Sequence, residues 1–422
     1  MNLKENLEKY LSKEEIDNLF DSFANKEQKG LFLNTNKMSK ETLLSLFPNL
    51  KPHPVVPNGF LFDKDEYQLG NNIYHELGCY YIQDPSAMLV SYFLPIKEGM
   101  RVLDMCAAPG GKTIQASLKM KDKGILVAND LSKARAITLL SNIERLGLGN
   151  VMVTSLDFSK IYKDYLNTFD VIILDAPCSG SGMFRKSEEM KKDWSMEKVI
   201  KNSFIQKDLI LVAYSMLKEG GTLIYSTCSY SYEEDEEVVS YLLDNTDAEL
   251  VNIPHFNGEY RHNSMPQTVH LFPSLFSGEG QYIALIKKPG ELTISKDVSK
   301  NISRKVISKG GETICENYLS NSDRFLKLSE LSLRPGLFIS TSIKDKIIPT
   351  HHYSHYVKDA KNIIDLDEKD IKKYILGESL SNIIKDNGYY FVSYKGIILG
   401  VAHLVNNQLK NLYPKGLRKR LY

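Results

Sequence analysis

The chain has 422 residues, with 53 Lys and Arg against 52 Asp and Glu and a formal net charge of +1. That length exceeds the roughly 100–200 residues of one domain, so two or three domains are expected, and the balanced charge excludes a global positive field, leaving any nucleic-acid contact to local patches. Five scattered cysteines, Cys79, Cys106, Cys178, Cys228 and Cys315, form no C-x-x-C pair, which speaks against a disulfide framework and a structural metal site and for a reducing cytoplasm.

The start, MNLKENLEKYLSKEEIDNLF, is charged and amphipathic, and nowhere do 18 uninterrupted apolar residues occur, so neither a signal peptide nor a membrane span is expected. Residues 1–95 read as short helices, then a turn-rich patch, PNLKPHPVVPNG, and a segment, YYIQDPSAML, leading into the first strand. From there short apolar runs alternate with amphipathic stretches. The predicted strands are 101–106, 124–130, 151–157, 169–177, 221–229 and 281–288, and the predicted helices 112–121, 132–146, 198–218 and 233–244. This alternation predicts a doubly wound parallel sheet, whose ligands sit beyond the carboxyl ends of the strands. Asp104, Asp130, Asp157, Asp175 and Cys228 each close an apolar run. Any one of them is an ordinary polar residue leaving a core strand; the five together predict one crevice. Residues 289–328 carry Ser, Lys and Gly at linker density. A third unit, with strands at 336–340, 388–394 and 396–405, is expected to begin near Arg334 as a small, mostly β module.

DMCAAPGGKT, residues 104–113, joins the first strand to the first helix. Gly110 and Gly111 let the backbone approach a ligand, and the helix N-terminus favours an anionic group. A nucleoside triphosphate is one candidate, with Asp175 imitating a metal-holding acidic strand end. A phosphate loop would, however, need glycine at position 106, where this chain has Cys106, and Pro109 interrupts the loop. The other candidate is S-adenosylmethionine, with its carboxylate at this turn, its ribose at Asp130 and its adenine near Asp157. Spacing favours the methyl donor.

DAPCSGSG (175–182) and YSTCSY (225–230) each put a cysteine beside a turn after an apolar run. Carbon 5 of cytosine is a poor nucleophile. A thiolate adding to carbon 6 turns the ring into an enamine whose carbon 5 can attack a sulfonium methyl. The adduct must then lose the carbon 5 proton and expel the first cysteine, which gives a second thiol a role. Free cysteine titrates near ~8.5, so the attacking thiol needs a positive field or hydrogen bonds. A single buried cysteine is usually an inert small hydrophobe, a reading weakened by two at adjacent strand ends.

The stretches DMCAAPGGKT, LDAPCSGSGMFRK, YSTCSYSYEEDEEVV and HLFPSLFSGEGQYIALIKK, in that order, resemble the motifs of the Sun/Nop family of RNA cytosine-C5 methyltransferases, most closely its bacterial RsmF-type branch. The resemblance runs from residue 81 to residue 288, and the ending QLKNLYPKGLRKRLY is similar to the PUA-like C-terminal module of that branch. It implies an α/β, Rossmann-like methyltransferase domain at 96–288, an N-terminal, mainly helical, RNA-binding extension at 1–95, a linker at 289–328 and a PUA-like, β-rich RNA-binding module at 329–422. It further implies Cys228 as nucleophile, Cys178 as the thiol assisting product release, and Asp175 between cofactor and target base. The positions matching the family's S-adenosylmethionine site are Cys106, Ala107, Ala108, Pro109, Gly110, Gly111, Lys112, Asp130, Arg135, Asp157 and Asp175. No metal is implied. The expected partner is RNA, 16S ribosomal RNA or the small subunit, met by a monomeric protein without a membrane. A transfer RNA substrate is the nearest enzymatic alternative, and a non-catalytic assembly factor the alternative from another class, against which intact Cys178, Cys228 and Asp175 argue. Two departures stand out. Asp130 replaces a glutamate, and Tyr232 replaces a proline that opens the helix after the nucleophile, which alters local rigidity.

Arg185, Lys186, Lys191 and Lys192 are candidates to hold phosphates beside an extruded base, although Glu188, Glu189 and Asp193 interleave with them as on a solvated helix face. Residues 406–422 hold Lys410, Lys415, Arg418, Lys419 and Arg420 with no acid, plus Tyr413 and Tyr422 for stacking. HHYSHY (351–356) lacks an acid or cysteine to complete a metal site, so its histidines are read as surface or RNA contacts.

Overall fold

Side chains alternate across a strand, so a run apolar at every position must be covered on both faces. The middle of the chain is built that way. In the computed structural model, which describes all residues except 1, 187, 295–300, 309–310, 319–322, 344–345 and 422, the runs become β1 (Arg101–Asp104), β2 (Ile125–Asn129), β3 (Val151–Thr154), β4 (Phe169–Asp175), β5 (Leu217–Thr227) and β6 (Gln281–Lys287). Their spatial order is β6-β5-β4-β1-β2-β3. Val102, Val153, Val171, Ile173 and Ile224 face one core together with Ile114, Leu139 and Ile143; Leu103, Val127, Ile172, Leu174 and Leu223 face the other, with Ile210, Val238 and Leu242. Those helical residues lie on α1 (Gly111–Met120), α2 (Lys133–Arg145), α3 (Met196–Met216) and α4 (Glu236–Asn245).

β1 pairs in parallel with both β2 and β4. The chain leaves β1 toward β2 on one side and returns to β4 on the other, so the strand order reverses there. The loops after β1 and β4 splay apart at such a point and open a crevice. β5 continues the parallel set beside β4. β6 differs from the sequence reading: it runs antiparallel to β5, with Tyr282 opposite Thr227. The chain reaches it through a long excursion after α4, whose short strands Glu249–Val251 and Val269–Leu271 also pair with β6.

Helices dominate the N-terminal segment; Leu3–Leu7 and Lys13–Ser22 each open on a capping box, Asn2 with Glu5 and Ser12 with Glu15. Between them and β1 lies an element the sequence reading lacks, a four-stranded antiparallel sheet of Lys29–Leu33, Lys51–Pro52, Gly59–Phe62 and Tyr80–Ile82. Gly59–Phe62 is buried at every position, so it carries no period-2 signal. At the other end, Ile363–Asp365, Leu380–Ser381, Gly388–Tyr394, Ile397–Val405 and Gln408–Asn411 form a five-stranded sheet. Both ends share one core, in which Ile73, Tyr74 and Tyr80 lie with Tyr374, Val392 and Tyr394.

The stretch read as a linker also differs. Asn301–Ser308 and Gly311–Tyr318 pair with each other and then with Leu337–Ile343. Helix Asp323–Glu330 places Phe325 and Leu328 in the core that Leu103, Ile172 and Leu223 of the central sheet also face. Arg334, fully buried, donates to the carbonyls of Val151 (2.6 Å) and Leu148 (2.8 Å). The chain therefore stays attached to β3 past the point where the sequence placed the boundary at 329. Ser, Thr and Lys between the apolar residues hide these strands from a periodicity argument. Among the described residues no helix is long and apolar enough to cross a membrane.

Candidate active site

The loop after β1 is held from both sides. Gly110 takes a left-handed φ of +119°, and an added Cβ would stand 3.0 Å from Leu139 Cδ1, so a larger residue would be strained in backbone and side chain alike. Arg135 Nη2 donates to Ala108 O (2.8 Å) and Asn142 Nδ2 to Pro109 O (3.0 Å), which ties the loop to α2. Ala107 N donates to Asn129 O at the end of β2 (2.7 Å).

Two buried carboxylates border this loop with an oxygen each to spare. Asp104 accepts the Thr113 hydroxyl (2.6 Å) on Oδ2, while its Oδ1 has no hydrogen-bond partner. Burial, more than its charged neighbours, pushes its carboxyl up to about 7. Asp130 accepts the Ser132 amide (3.0 Å) on Oδ1, and its Oδ2 lies 3.4 Å from Arg135 without a hydrogen bond. A buried acceptor left unsatisfied costs ~1–3 kcal/mol. S-adenosylmethionine brings an ammonium and a ribose diol, the donor types such oxygens lack. The residues fit that cofactor. Asp157 is placed differently: half-buried, it caps the helix Phe158–Ile161, accepting from Ser159 N (3.2 Å) and Oγ (2.5 Å) and pairing with Lys160 (3.1 Å). The Ser159 hydroxyl and Lys160 hold its carboxyl below the ordinary range.

β4 and β5 bring the two thiols together. Asp175 lies opposite Ser226, and beyond this pair the two strand ends turn so that Cys178 Sγ and Cys228 Sγ stand 3.1 Å apart, both free. The SGSG run has a physical cause. Gly182 N donates to Cys228 O (2.7 Å), and a Cβ at position 182 would sit 2.6 Å from that oxygen. Asp175 accepts from Lys112 Nζ (2.7 Å), Ser226 Oγ (2.7 Å) and Gln281 Nε2 (3.0 Å). Burial works to lower the Lys112 ammonium, but the negative charges of Asp175, Asp104 and Cys228 hold it above its ordinary value. Lys112 is thus a fixed cation, paired with Asp175 and close enough to Cys228 to feel its charge. Cys178 is pushed the other way, well above the ordinary thiol range, by its hydrogen bond to Cys228, by burial and by the charges of Cys228 and Glu234. In this pair Cys178 is the thiol that keeps its proton.

Sequence reasoning missed the acids behind these turns. Glu234 lies under both cysteine loops; Asp235 accepts from Thr227 Oγ1 (2.6 Å), and Glu236 lies 2.7 Å from His270 Nε2, all fully buried. A run of acids after a strand reads as a solvated helix start, and only its unbroken length, EEDEE, hints at burial. Tyr232 opens a 3-10 turn, its ring packing at 5.4 Å from that of His262 in place of the stiffening a proline would give.

Several basic residues stand elsewhere than expected. The Arg185 side chain turns inward to an ion pair with Glu279 (2.9 Å) and donates to Gly278 O (2.8 Å), and Lys186 pairs with Asp84 (3.3 Å). Lys191 and Lys192 are exposed. Tyr413 is buried in the core shared by the two ends of the chain, and Lys419 pairs with Glu76 (2.6 Å); Lys410, Lys415 and Arg420 are exposed, and Tyr422 lies outside the described residues. The histidines of 351–356 sit at a junction: His352 pairs with Glu144 of α2 (2.7 Å), and burial pushes His351 down to about 3 and His355 well below its ordinary value. His355 is buried, and His351 is partly exposed.

The family model described as 16S rRNA methyltransferase RsmB/F matches residues 91–287; those for the N-terminal domain of 16S rRNA methyltransferase RsmF and the methyltransferase RsmF PUA domain match 2–85 and 361–419. Ribosomal RNA small subunit methyltransferase F of Vibrio vulnificus strain YJ016 is 32% identical, over 92% of this chain and 91% of its own length. The enzyme of that name from Shewanella piezotolerans is 31% identical over 99% and 96%. Among solved structures, a methyltransferase homolog protein from Pyrococcus horikoshii superposes with a TM-score of 0.58 at 28% identity, covering 67% of this chain and 98% of that one. NSun6 from the same organism, solved with SFG, shares the fold with a TM-score of 0.62 at 24% identity over 69% and 98%. The PUA match sets the C-terminal module within the five-stranded sheet, and the 91–287 match sets the catalytic fold on the Rossmann-like sheet. With its matching N-terminal and PUA domains, the chain belongs to the Sun/Nop family of S-adenosylmethionine-dependent methyltransferases, in the RsmF-type branch that acts on ribosomal RNA.

Proposed function

We propose that this protein methylates carbon 5 of a cytosine in 16S ribosomal RNA through a covalent cysteine–cytosine adduct. The observation that carries the reading is the pair of free thiols 3.1 Å apart at the ends of β4 and β5, with Lys112 and Asp175 beside them. Cys228, in the field of Lys112, adds to carbon 6 of the base. The cofactor supplies a methyl group on a positively charged sulfur. Asp175, fixed by Lys112, Ser226 and Gln281, orients the base against it. Once carbon 5 carries the methyl group, it gives up its proton and the Cys228–carbon 6 bond breaks; Cys178, still protonated, passes its proton to the departing Cys228 sulfur and takes the carbon 5 proton in exchange. The segment Cys106–Lys112 with Asp130 and Arg135 holds the cofactor. Asp157 is assigned to the adenine end of that site.

Catalysis is assigned to residues 96–288 and RNA handling to the N-terminal unit and the C-terminal module, in a monomer that works in the cytoplasm, where the thiols stay reduced. The names of the relatives support 16S ribosomal RNA as substrate. Bisulfite mapping of total RNA from cells with and without the gene tests this. The expected result is one or more 5-methylcytosines lost from 16S ribosomal RNA alone; loss confined to transfer RNA, or no loss, overturns it.

A further inference from the structure

Glu234 touches neither thiol, yet it touches the residue that follows each. It is fully buried in the 3-10 turn Tyr232–Glu234. Its Oε1 accepts the Ser179 amide (2.8 Å) and Gln206 Nε2 (3.2 Å); its Oε2 accepts the hydroxyls of both Ser179 and Ser229. Ser179 follows Cys178, and Ser229 follows Cys228. The two serine oxygens are drawn to within 3.4 Å of each other over that carboxylate. A buried acid in a structural role alone would accept whatever donors lie near; three of the four donor groups here belong to the two cysteine turns.

We propose that Glu234 is a positioning residue that sets the distance between the two thiols by clamping both turns, and that it serves the release half of the reaction rather than the attack. The inference rests on the assignment of Cys228 to attack and Cys178 to release. Attack needs Cys228 and the base alone, whereas release needs the second thiol within reach of the first. The two turns are joined by the Gly182–Cys228 and Ser181–Tyr230 bonds and by the Ser179–Ser229 hydroxyl contact, and this carboxylate takes a donor from the residue that follows each thiol.

Chain length and charge can be separated. Glu234→Asp withdraws the carboxylate by one carbon–carbon bond, ~1.5 Å, too far to hold both hydroxyls within hydrogen-bond range. Glu234→Gln keeps the reach: its amide oxygen takes the Ser179 amide, and its NH2 donates to serine hydroxyls that rotate to accept. The probe of distance is phenylarsine oxide, which bridges two thiols only when they are close and needs neither RNA nor cofactor. It is titrated against the full-length protein, with Cys178→Ala as the zero. Glu234→Asp should bind it at least tenfold more weakly than the parent, and on a ribosomal RNA fragment should accumulate a denaturation-resistant protein–RNA adduct. Glu234→Gln should stay within about twofold of the parent in both assays. A Glu234→Asp protein that binds S-adenosylmethionine normally and takes up the arsenical like the parent overturns the proposal, as does a Glu234→Gln protein that fails as badly as Glu234→Asp. If Glu234→Asp does not fold, the Ser179→Ala, Ser229→Ala double variant, which removes both hydroxyls on Oε2, should lose at least threefold in arsenical binding; no loss overturns the clamp. Absence of RNA adducts from every variant would instead strike the assignment of the thiols, leaving the arsenical result to decide the clamp.

Discussion

Replacing Asp104 by asparagine exchanges a titrating buried group for a neutral one of the same shape. The folded carboxyl titrates near 7 because burial disfavours its charge, whereas an unfolded aspartate titrates near ~3.9. Between those values the folded protein holds a proton that the unfolded chain has lost. The contribution of Asp104 to the stability of the parent is therefore most favourable below pH ~4, falls as pH rises to 7, and is level above that. Three pH units at ~1.4 kcal/mol each make the full cost about 4 kcal/mol, of which about 3 kcal/mol falls between pH 5 and pH 8. The asparagine of the variant keeps an acceptor for the Thr113 hydroxyl and has no such pH dependence. Thermal unfolding of the methyltransferase domain, followed at pH 5, 6, 7 and 8 without cofactor, reads the difference. At ~2–4 °C per kcal/mol for a domain of this size, Asp104→Asn should gain about 6–12 °C on the parent between pH 5 and pH 8. A gap that stays constant with pH, or narrows as pH rises, would show that Asp104 is charged at low pH and refute the reasoning.

Gly110→Ala forces a β-carbon against Leu139 at a left-handed φ; calorimetry should find S-adenosylmethionine affinity reduced at least tenfold with RNA affinity unchanged. Exchanging the exposed Lys410, Lys415 and Arg420 for alanine should weaken RNA binding and flatten its dependence on the logarithm of salt concentration by about 2, from ~0.7 per single-strand contact, without altering cofactor affinity. Arg185→Met leaves Glu279 buried without its partner, so it should destabilise the fold by about 3–5 kcal/mol in urea unfolding and have no effect on the salt dependence of RNA binding, the reverse of what a phosphate contact would do.

The strands and helices that carry the crevice were legible because each is a buried apolar run or a clean amphipathic stretch: Gly388–Tyr394 falls on the predicted residues, and α2 and α4 within a few residues of them. Convergence of Asp104, Asp130, Asp175 and Cys228 was legible too, because strand ends of a parallel sheet share one side. The N-terminal sheet was not, since its strands are only two to five residues long and three of the four are covered on both faces, so they show no alternation. Nor were Arg185 and Tyr413, whose charge and ring are used inside the protein. A basic or aromatic residue carries no mark in sequence of whether its partner is Glu279, a packed core or a phosphate. Glu234 was hidden for the same reason: only the fold shows that a residue in an acidic run meets serines from two distant motifs.

The central claim is that Cys228 attacks and Cys178 releases, and one denaturing gel tests it. Each variant is incubated with S-adenosylmethionine and a 16S ribosomal RNA fragment, then denatured and resolved. Cys178→Ala should retain RNA as a slowly migrating covalent band; Cys228→Ala, and the double variant, should show no such band and no methyl transfer. A band in Cys228→Ala and none in Cys178→Ala would mean that the thiol after Pro177 attacks, and the two roles would be reversed.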